Sequence, residues 1–533
     1  MEDSIISATN EVQIATAPET QELIRKLIAI EEETRRREAG EFPPVKTHWV
    51  VNNAAKVYEK IRNTIDYREE NVLRRSAIQR IISRRLRSRE KSVEIAQGLV
   101  KELIQAGYIG EKAVLPNEVT QIGQVIKKNL YFARTDSERG LKYYLAIASA
   151  EIEEKVAPCK AEKAVLEYLE SIAKKEIVNW EIDSKELKLI IAFYRIFLKY
   201  DTPLMRFLLL KKNYPEIINY QVGQSLEYLP KEKLEKAYYN ITNELNNSLV
   251  KGITKLVKRY YPVYIFFQEV VIKNPMRFEK VFSEPKKLKQ EISYFADESY
   301  AKTRQRLTRS VARAILFIII TKMALGIICE LPYDLYIIKK VDFLPLIINL
   351  MFPPILMLVS ASLIKVPGQS NTDKLISLIE DLVYKGADES FQKEVKIKGN
   401  LGFSTFMGIL YFITFATTFG LLIWMLVALD FNLVSSFLFF FFLSVVSFFA
   451  FRIREGTKEL LVVEEKEGAI TNFLDFLLLP FLRIGHWLSI RFANVNIFLF
   501  LFDFVIEAPF KTILEVVENW MAFMKEKKEE MMS

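Results

Sequence analysis

Long apolar runs in the second half of the chain are the feature that most constrains its fold. A helix that crosses a bilayer needs about 20 mostly apolar residues. Residues 1–310 contain no uncharged run of that length, whereas four later segments qualify: 311–329, 343–364, 406–429 and 432–451. Asp430 and Asn432 mark a tight turn between the last two segments. The sequence therefore predicts a helical cytoplasmic domain followed by a polytopic membrane domain with four spans.

The distribution of Lys and Arg around these spans predicts their orientation, because cytoplasmic loops carry an excess of both. Five lie in 302–313 on the approach to the first span, two follow this span, six lie in 365–403, none lies in the turn between the last two spans, and four lie in 452–468. We therefore expect both termini in the cytoplasm. The abundance of Lys, Ile, Phe and Asn is typical of an AT-rich bacterial genome, which indicates the inner (plasma) membrane.

Helical periodicity without alternating strand patterns predicts an all-α fold. We divide the chain into a polar segment with a charged helix (1–45), an all-α cytoplasmic domain (46–310), the four-span domain (311–470) and a C-terminal part (471–533). Residues 46–310 are numerous enough to bury a core of their own. An amphipathic helix at 372–385, in the loop between spans two and three, is expected to pack on the cytoplasmic domain or to lie on the membrane surface.

The hydrophobic stretch 471–508 has two short arms around a polar centre. This pattern favours a re-entrant or interfacial hairpin. Two further thin spans are the alternative, and either arrangement leaves the C-terminus in the cytoplasm.

A search for catalytic motifs is negative. The sequence has no P-loop, no dinucleotide-binding glycine pattern, no HExxH, no GxSxG and no CxxC. Its two His and two Cys exclude a His/Cys metal cage and a disulfide framework. We therefore assign no catalytic residue, no metal and no cofactor, and an enzyme is not the favoured class.

Charged residues inside apolar segments are the candidate binding residues. Lys322 lies in the middle of the first span, where a charge costs about 2.5–3.5 kcal/mol on insertion scales, so it should face protein or water. It could belong to an ion or proton path, or it could pair with an acid such as Asp503. The second candidate is a C-terminal charge cluster, which could bind a lipid headgroup or pin the hairpin by ion pairs: Asp475, Arg483, His486, Arg491, Asp503, Glu507 and Lys511.

The basic stretch 74–91 is the strongest local concentration of charge. It contains seven Arg and one Lys against one Glu: Arg74, Arg75, Arg80, Arg84, Arg85, Arg87, Arg89 and Lys91. Such a stretch could bind anionic lipid headgroups at about 1 kcal/mol per basic residue near the membrane. The alternative is a surface helix whose arginines pair with the glutamates of 31–39 or 66–70. A nucleic-acid partner is the least favoured reading.

Three function hypotheses follow from these features. The first is a non-enzymatic membrane scaffold or adaptor, in which the cytoplasmic domain meets an unknown protein partner or lipid. The second is a transporter or channel subunit that uses Lys322 and the C-terminal charge cluster. The third is an intramembrane lipid-modifying enzyme that uses His486, Asp503 and Glu507.

The predicted orientation can be tested with reporter fusions at Tyr336 and at the C-terminus. Alkaline phosphatase should be active at Tyr336 and inactive at the C-terminus, and green fluorescent protein should show the opposite pattern. Both sites on the same side of the membrane would contradict the predicted topology.

Overall fold

The computed structural model describes residues 16–39, 49–65, 69–136, 138–176, 185–223, 230–272, 281–282, 284–339, 343–364, 366–386, 401–457, 460–462 and isolated positions between 480 and 524. Within these residues the secondary structure is helical and no strand is present. The all-α prediction is therefore confirmed.

The first part of the chain folds into short amphipathic helices, which together with a later helix, α17, form what we call the helical body. In α4, for example, Ile95, Leu99 and Leu103 are four residues apart and all are buried. The helices are α1 (Pro18–Ala39), α2 (Trp49–Ile65), α3 (Glu70–Arg87), α4 (Ser92–Gln105), α5 (Pro116–Thr135), α6 (Gly140–Val156), α7 (Lys160–Glu176), α8 (Lys185–Ile196), α9 (Thr202–Asn213), α10 (Pro215–Ile218), α11 (Lys231–Asn246), α12 (Ser248–Val257) and α13 (Tyr261–Phe266).

The second part consists of longer helices: α14 (Pro285–Leu325), α15 (Leu331–Tyr333), α16 (Phe343–Ser362), α17 (Gln369–Glu380), α18 (Leu401–Ala428) and α19 (Leu433–Thr457). Turns of π-helix at Gly326–Glu330 and Asp334–Ile338 join α14 and α15 into one continuous helical rod that ends at Ile338. We call α16, α19 and this rod from Ala314 onward the apolar bundle.

Three helices of the described residues are long and apolar enough to cross a membrane: Pro285–Ile338, Phe343–Ser362 and Leu433–Arg454. Their outward surfaces carry exposed side chains such as Leu316, Ile320 and Ile347, an arrangement that a lipid environment explains. The third sequence-predicted span falls in α18, whose described apolar portion, Phe412–Ala428, is shorter. Three helices are therefore candidate membrane spans by length and composition, and the fourth span stays a prediction.

The first span differs from its sequence prediction in where its helix begins. The sequence places a boundary at residue 310, but α14 begins at Pro285 and passes through that boundary without a break. The reason is local: between Pro285 and Gly326 there is no Gly or Pro to stop a helix, and only the polarity changes. At 1.5 Å per residue, the 41 residues of α14 extend about 61 Å.

The two ends of α14 belong to different hydrophobic cores. Leu288, Ile292 and Phe295 are buried in the main core of the helical body. Ala314 and Ile318 are buried in the apolar bundle, against Met357 of α16 and residues of α19. One helix therefore connects the two parts of the molecule directly.

A second connection returns from the bundle to the body through α17. Leu375, Ile379 and Val383 are buried in the same core as α7, α8 and α13. Tyr168 of α7 donates a hydrogen bond to the carbonyl of Leu382 at 2.9 Å. The core of the body thus includes side chains from residues 369–385, beyond the 46–310 segment that the sequence predicted to be self-sufficient.

If α17 is an integral part of this core, truncating its buried side chain should destabilise the whole protein. We expect Ile379→Ala to lower the free energy of unfolding by about 2–5 kcal/mol, the usual cost of a large-to-small change in a core. Thermal unfolding of the detergent-solubilised protein would measure this. Leu141→Ala, at a position 47% exposed in α6, is the matched control and should have little effect. Equal effects of the two changes would contradict the packing of α17.

Candidate functional site: a polar cluster inside the apolar bundle

Polar and charged side chains meet inside the apolar bundle, at the end distant from the helical body. Lys322 and Glu330 come from the α14 rod, Asn349 from α16 and Ser435 from α19. Each is at most 3% exposed. We call these four residues the polar cluster. Burying polar and charged side chains costs free energy unless each of them forms a hydrogen bond or an ion pair.

The side-chain amide of Asn349 is the centre of the cluster. Its Oδ1 accepts a hydrogen bond from Lys322 Nζ at 2.6 Å. Its Nδ2 donates to Glu330 Oε1 at 2.9 Å and to the carbonyl oxygen of Ser435 at 3.2 Å. Both amide hydrogens and the amide oxygen are therefore used, and the ammonium group fixes the orientation because it can only donate.

Ser435 and an aromatic ring complete the surroundings of the two charges. Ser435 Oγ donates to Glu330 Oε1 at 2.5 Å. The Lys322 ammonium lies 4.6 Å from the centroid of the Phe442 ring, where the negative face of the ring stabilises a cation. The positive and the negative group, both on the rod, thus each have partners on α16 and α19.

A related pair lies next to the cluster, one helical turn further along the rod. Asn432 Nδ2 donates to Asp334 Oδ1 at 2.6 Å, and Asn432 Oδ1 accepts from the backbone N–H of Ser435 at 2.8 Å. Asn432 therefore caps the first turn of α19 while it binds the rod. Asp334 is 5% exposed.

The backbone of the rod explains how Lys322 and Glu330 can share one amide. Eight residues separate them, which is about 12 Å along an α-helix. A π-helical turn at Gly326–Glu330 lies between them and changes the direction in which Glu330 points. The long side chains of Lys322 and Glu330 then reach Asn349 from its two sides.

The geometry determines what this cluster can do chemically. Its near-complete burial leaves no open water path to Lys322 or Glu330 in the described structure. The amide that separates the ammonium from the carboxylate is a poor carrier of protons, because it neither gains nor loses one near neutral pH. The four side chains form a hydrogen-bonded link of zero net charge between three helices, which we call the clasp. Hydrogen bonds of this kind stabilise helix association in a membrane by about 0.6–2 kcal/mol each.

Sequence reasoning identifies Lys322 but not its partners. Glu330 and Asp334 fall in the loop after a first span taken to end at 329, and Asn349 is a single amide in an apolar run. An isolated Asn opposite a lone Lys in neighbouring spans is the signal that could have indicated the cluster. The suggested acid, Asp503, lies outside the described residues.

Most of the C-terminal charge cluster also lies outside the described residues: Asp475, His486, Arg491, Asp503, Glu507 and Lys511. Arg483 is described, and its side chain is exposed. The proposed lipid-headgroup site and its alternative, a set of ion pairs, both stay predictions.

Arginines of the basic stretch 74–91 face carboxylates of the same chain. Arg74 binds Glu153 through two hydrogen bonds of 2.9 Å, and both side chains are buried. Burial raises the pKa of the Glu153 carboxyl, and the ion pair with Arg74 opposes that rise. The further pairs are Arg75 with Asp201, Arg80 with Glu59, Arg84 with Glu102, and Arg85 with Glu90 and Glu102.

These partners come from α2, α4 and α6, from the residue before α9 and from Glu90 in the loop after α3, so ion pairs attach α3 to the helical body. They differ from the glutamates that the sequence suggested, except for Glu70, which binds Arg74 at 2.9 Å. Arg87, Arg89 and Lys91 are exposed. Binding of the basic stretch 74–91 to an anionic surface stays a prediction.

A group of carboxylates in the helical body has the spacing of a metal site but already pairs with two cationic side chains. Oxygen atoms of Asp136, Glu138 and Glu235 lie within 4.8 Å of one another. Arg139 binds Asp136, and Lys231 lies 3.8 Å from Glu138 and 3.3 Å from Glu235. We interpret the group as an ion-pair network.

Comparison with known proteins gives no match to a protein-family model, to a curated protein or to a solved structure. Function is therefore argued from the geometry of this chain.

The clasp can be tested by removing its cation. Lys322→Met should leave the Asn349 oxygen without its donor and Glu330 without a counter-charge, and it should lower the free energy of unfolding by about 3–5 kcal/mol, as for other buried charges that lose their compensation. Adding Glu330→Gln should recover part of that loss, because the uncompensated charge is then gone. Thermal unfolding in detergent is the measurement, with Lys236→Met on the exposed face of α11 as control. Strictly additive effects would contradict a coupled cluster.

Proposed function

We propose that this protein is a non-enzymatic integral membrane scaffold or adaptor, which holds its helical body beside the membrane for a protein or lipid partner. The proposal rests on the two connections between the helical body and the apolar bundle. The α14 rod leaves the core of the body, and α17 returns to the same core after α16. Two attachments restrict rotation of the body far more than a single flexible linker would.

The proposed topology places the body, α17 and both chain termini in the cytoplasm of a bacterial cell, with four spans in the inner membrane. The packing of α17 against the body supports an even number of crossings between α14 and α17. The Lys and Arg bias of the loops supports the cytoplasmic side. The length of α18, 28 residues, supports a fourth span.

The closed polar cluster favours a scaffold over a transporter. A transport site must open to water on each side in turn, and it uses groups that exchange partners as it does so. Here Asn349 uses both amide hydrogens and its oxygen to join three helices. The cluster therefore fits a structural clasp that fixes the register of the helices.

A transporter or channel subunit is the second candidate, and one observation favours it. Three ionisable residues, Lys322, Glu330 and Asp334, are buried among the apolar helices, and such residues often mark ion paths. The third hypothesis, a lipid-modifying enzyme, depends on His486, Asp503 and Glu507, which lie outside the described residues.

Cysteine labelling distinguishes the first two candidates. Ser435→Cys, in a chain whose own Cys159 and Cys329 are replaced by Ser, places a thiol in the cluster at a position 1% exposed. For a scaffold, a charged, membrane-impermeant thiol reagent should leave this Cys unlabelled in vesicles of either orientation and label it only after denaturation. Tyr336→Cys, 80% exposed at the end of the rod, is the positive control. Labelling of both cysteines at similar rates would favour the transporter.

A further inference from the structure

The α14 rod carries a stripe of basic residues where it passes between the helical body and the apolar bundle. No side chain from residue 297 to residue 313 is buried. Lys302, Arg306, Arg309 and Arg313 follow one another at intervals of four, three and four residues. This spacing places them on one face of the helix. We call these four residues the arginine stripe.

The described helices that contact the rod pack on its other side. The half-buried residues Leu307 and Val311 continue the line that leads to the buried Ala314. With 100° between successive residues, this line lies roughly opposite the stripe. The stripe therefore faces away from the helices that contact the rod.

The three arginines of the stripe have no counter-charge in the part of the chain that the structure describes. Arg306, Arg309 and Arg313 form no ion pair with a described carboxylate, whereas Lys302 binds Glu298 at 2.6 Å. Arg313 Nε donates instead to the carbonyl oxygen of Arg309 at 3.2 Å. The contrast with α3 is direct, since five arginines there bind carboxylates of the same chain.

The position of the stripe along the rod indicates what could neutralise it. Arg313 immediately precedes Ala314, where the apolar bundle begins, and exposed apolar side chains follow from Leu316. Arg306 lies about 11 Å further from the bundle along the helix axis. The headgroup region on one side of a bilayer is about 5–8 Å deep. The guanidinium groups, on flexible side chains, thus lie at or near the level of lipid phosphates.

We propose that the arginine stripe is a binding surface for anionic phospholipid headgroups in the leaflet that faces the helical body. Guanidinium groups suit this role because they bind phosphate oxygens with two parallel hydrogen bonds. Nucleic acid carries the same phosphate chemistry, but the stripe borders the bundle and is a single helix face, which favours lipid. The inference depends on the rod crossing a membrane and is independent of the scaffold role.

The test is lipid binding by the full-length protein in a neutral detergent. The probes are dioctanoyl phosphatidylglycerol, dioctanoyl phosphatidylcholine and inorganic phosphate. Phosphatidylglycerol should bind more tightly than the other two, and its affinity should fall as salt screens the arginines. Because each basic residue near the membrane contributes about fivefold, the triple variant R306Q/R309Q/R313Q should bind phosphatidylglycerol roughly 100-fold more weakly.

Matched variants separate this surface from general charge effects. K142Q/K236Q/K255Q removes three exposed charges from helices of the helical body, outside the basic stretch 74–91, and should leave the lipid affinity unchanged. Single substitutions disturb membrane insertion of the rod least. R309Q should weaken phosphatidylglycerol binding about fivefold, while R304Q, on another face of the rod, should have a smaller effect. Circular dichroism confirms that each variant is folded.

Several results would overturn the proposal. Equal affinity for phosphatidylglycerol and phosphatidylcholine would exclude headgroup charge as the determinant. Equal losses in the two triple variants would show a non-specific effect of net charge. Tighter binding of inorganic phosphate, or of a short DNA duplex, than of phosphatidylglycerol would assign the stripe to a different ligand.

Discussion

The continuous helical course of the α14 rod is the constraint on which the rest of the structure depends. A helix that keeps its hydrogen bonds needs no support from its neighbours to remain extended, so it can leave one core and enter another. Its first turns supply Leu288 and Ile292 to the helical body, and its last turns supply Lys322 and Glu330 to the polar cluster. Any rotation of this helix about its own axis would move all of these groups together.

The polar cluster shows how a charge is accommodated among apolar helices. Association of helices in lipid gains little from the hydrophobic effect, because the lipid tails are as apolar as the side chains. Specificity must then come from packing and hydrogen bonds, and Asn349 supplies hydrogen bonds to both neighbouring helices. A single amide with one acceptor and two donor hydrogens can join a cation, a carboxylate and a backbone carbonyl at once.

Much of the helical architecture could be predicted from the sequence, and the reasons are physical. The apolar runs at 343–364 and 432–451 correspond to α16 and α19 within a few residues, because length and polarity alone decide such helices. The start of the first span could not be predicted, since a charged helix and an apolar helix have the same backbone. The pairing of Arg74 with Glu153 was also inaccessible, because pairing across helices depends on tertiary packing rather than on spacing along the chain.

The return of α17 to the core of the helical body has a consequence for the order of events during synthesis. Residues 369–385 leave the ribosome only after the α14 rod and α16, yet Val383 accepts hydrogen bonds from Ala17 and Thr20 near the start of the chain. The body therefore cannot complete its core before the first two apolar helices have been made. Until then its unfilled groove exposes apolar side chains, which a chaperone or the insertion machinery would have to shield.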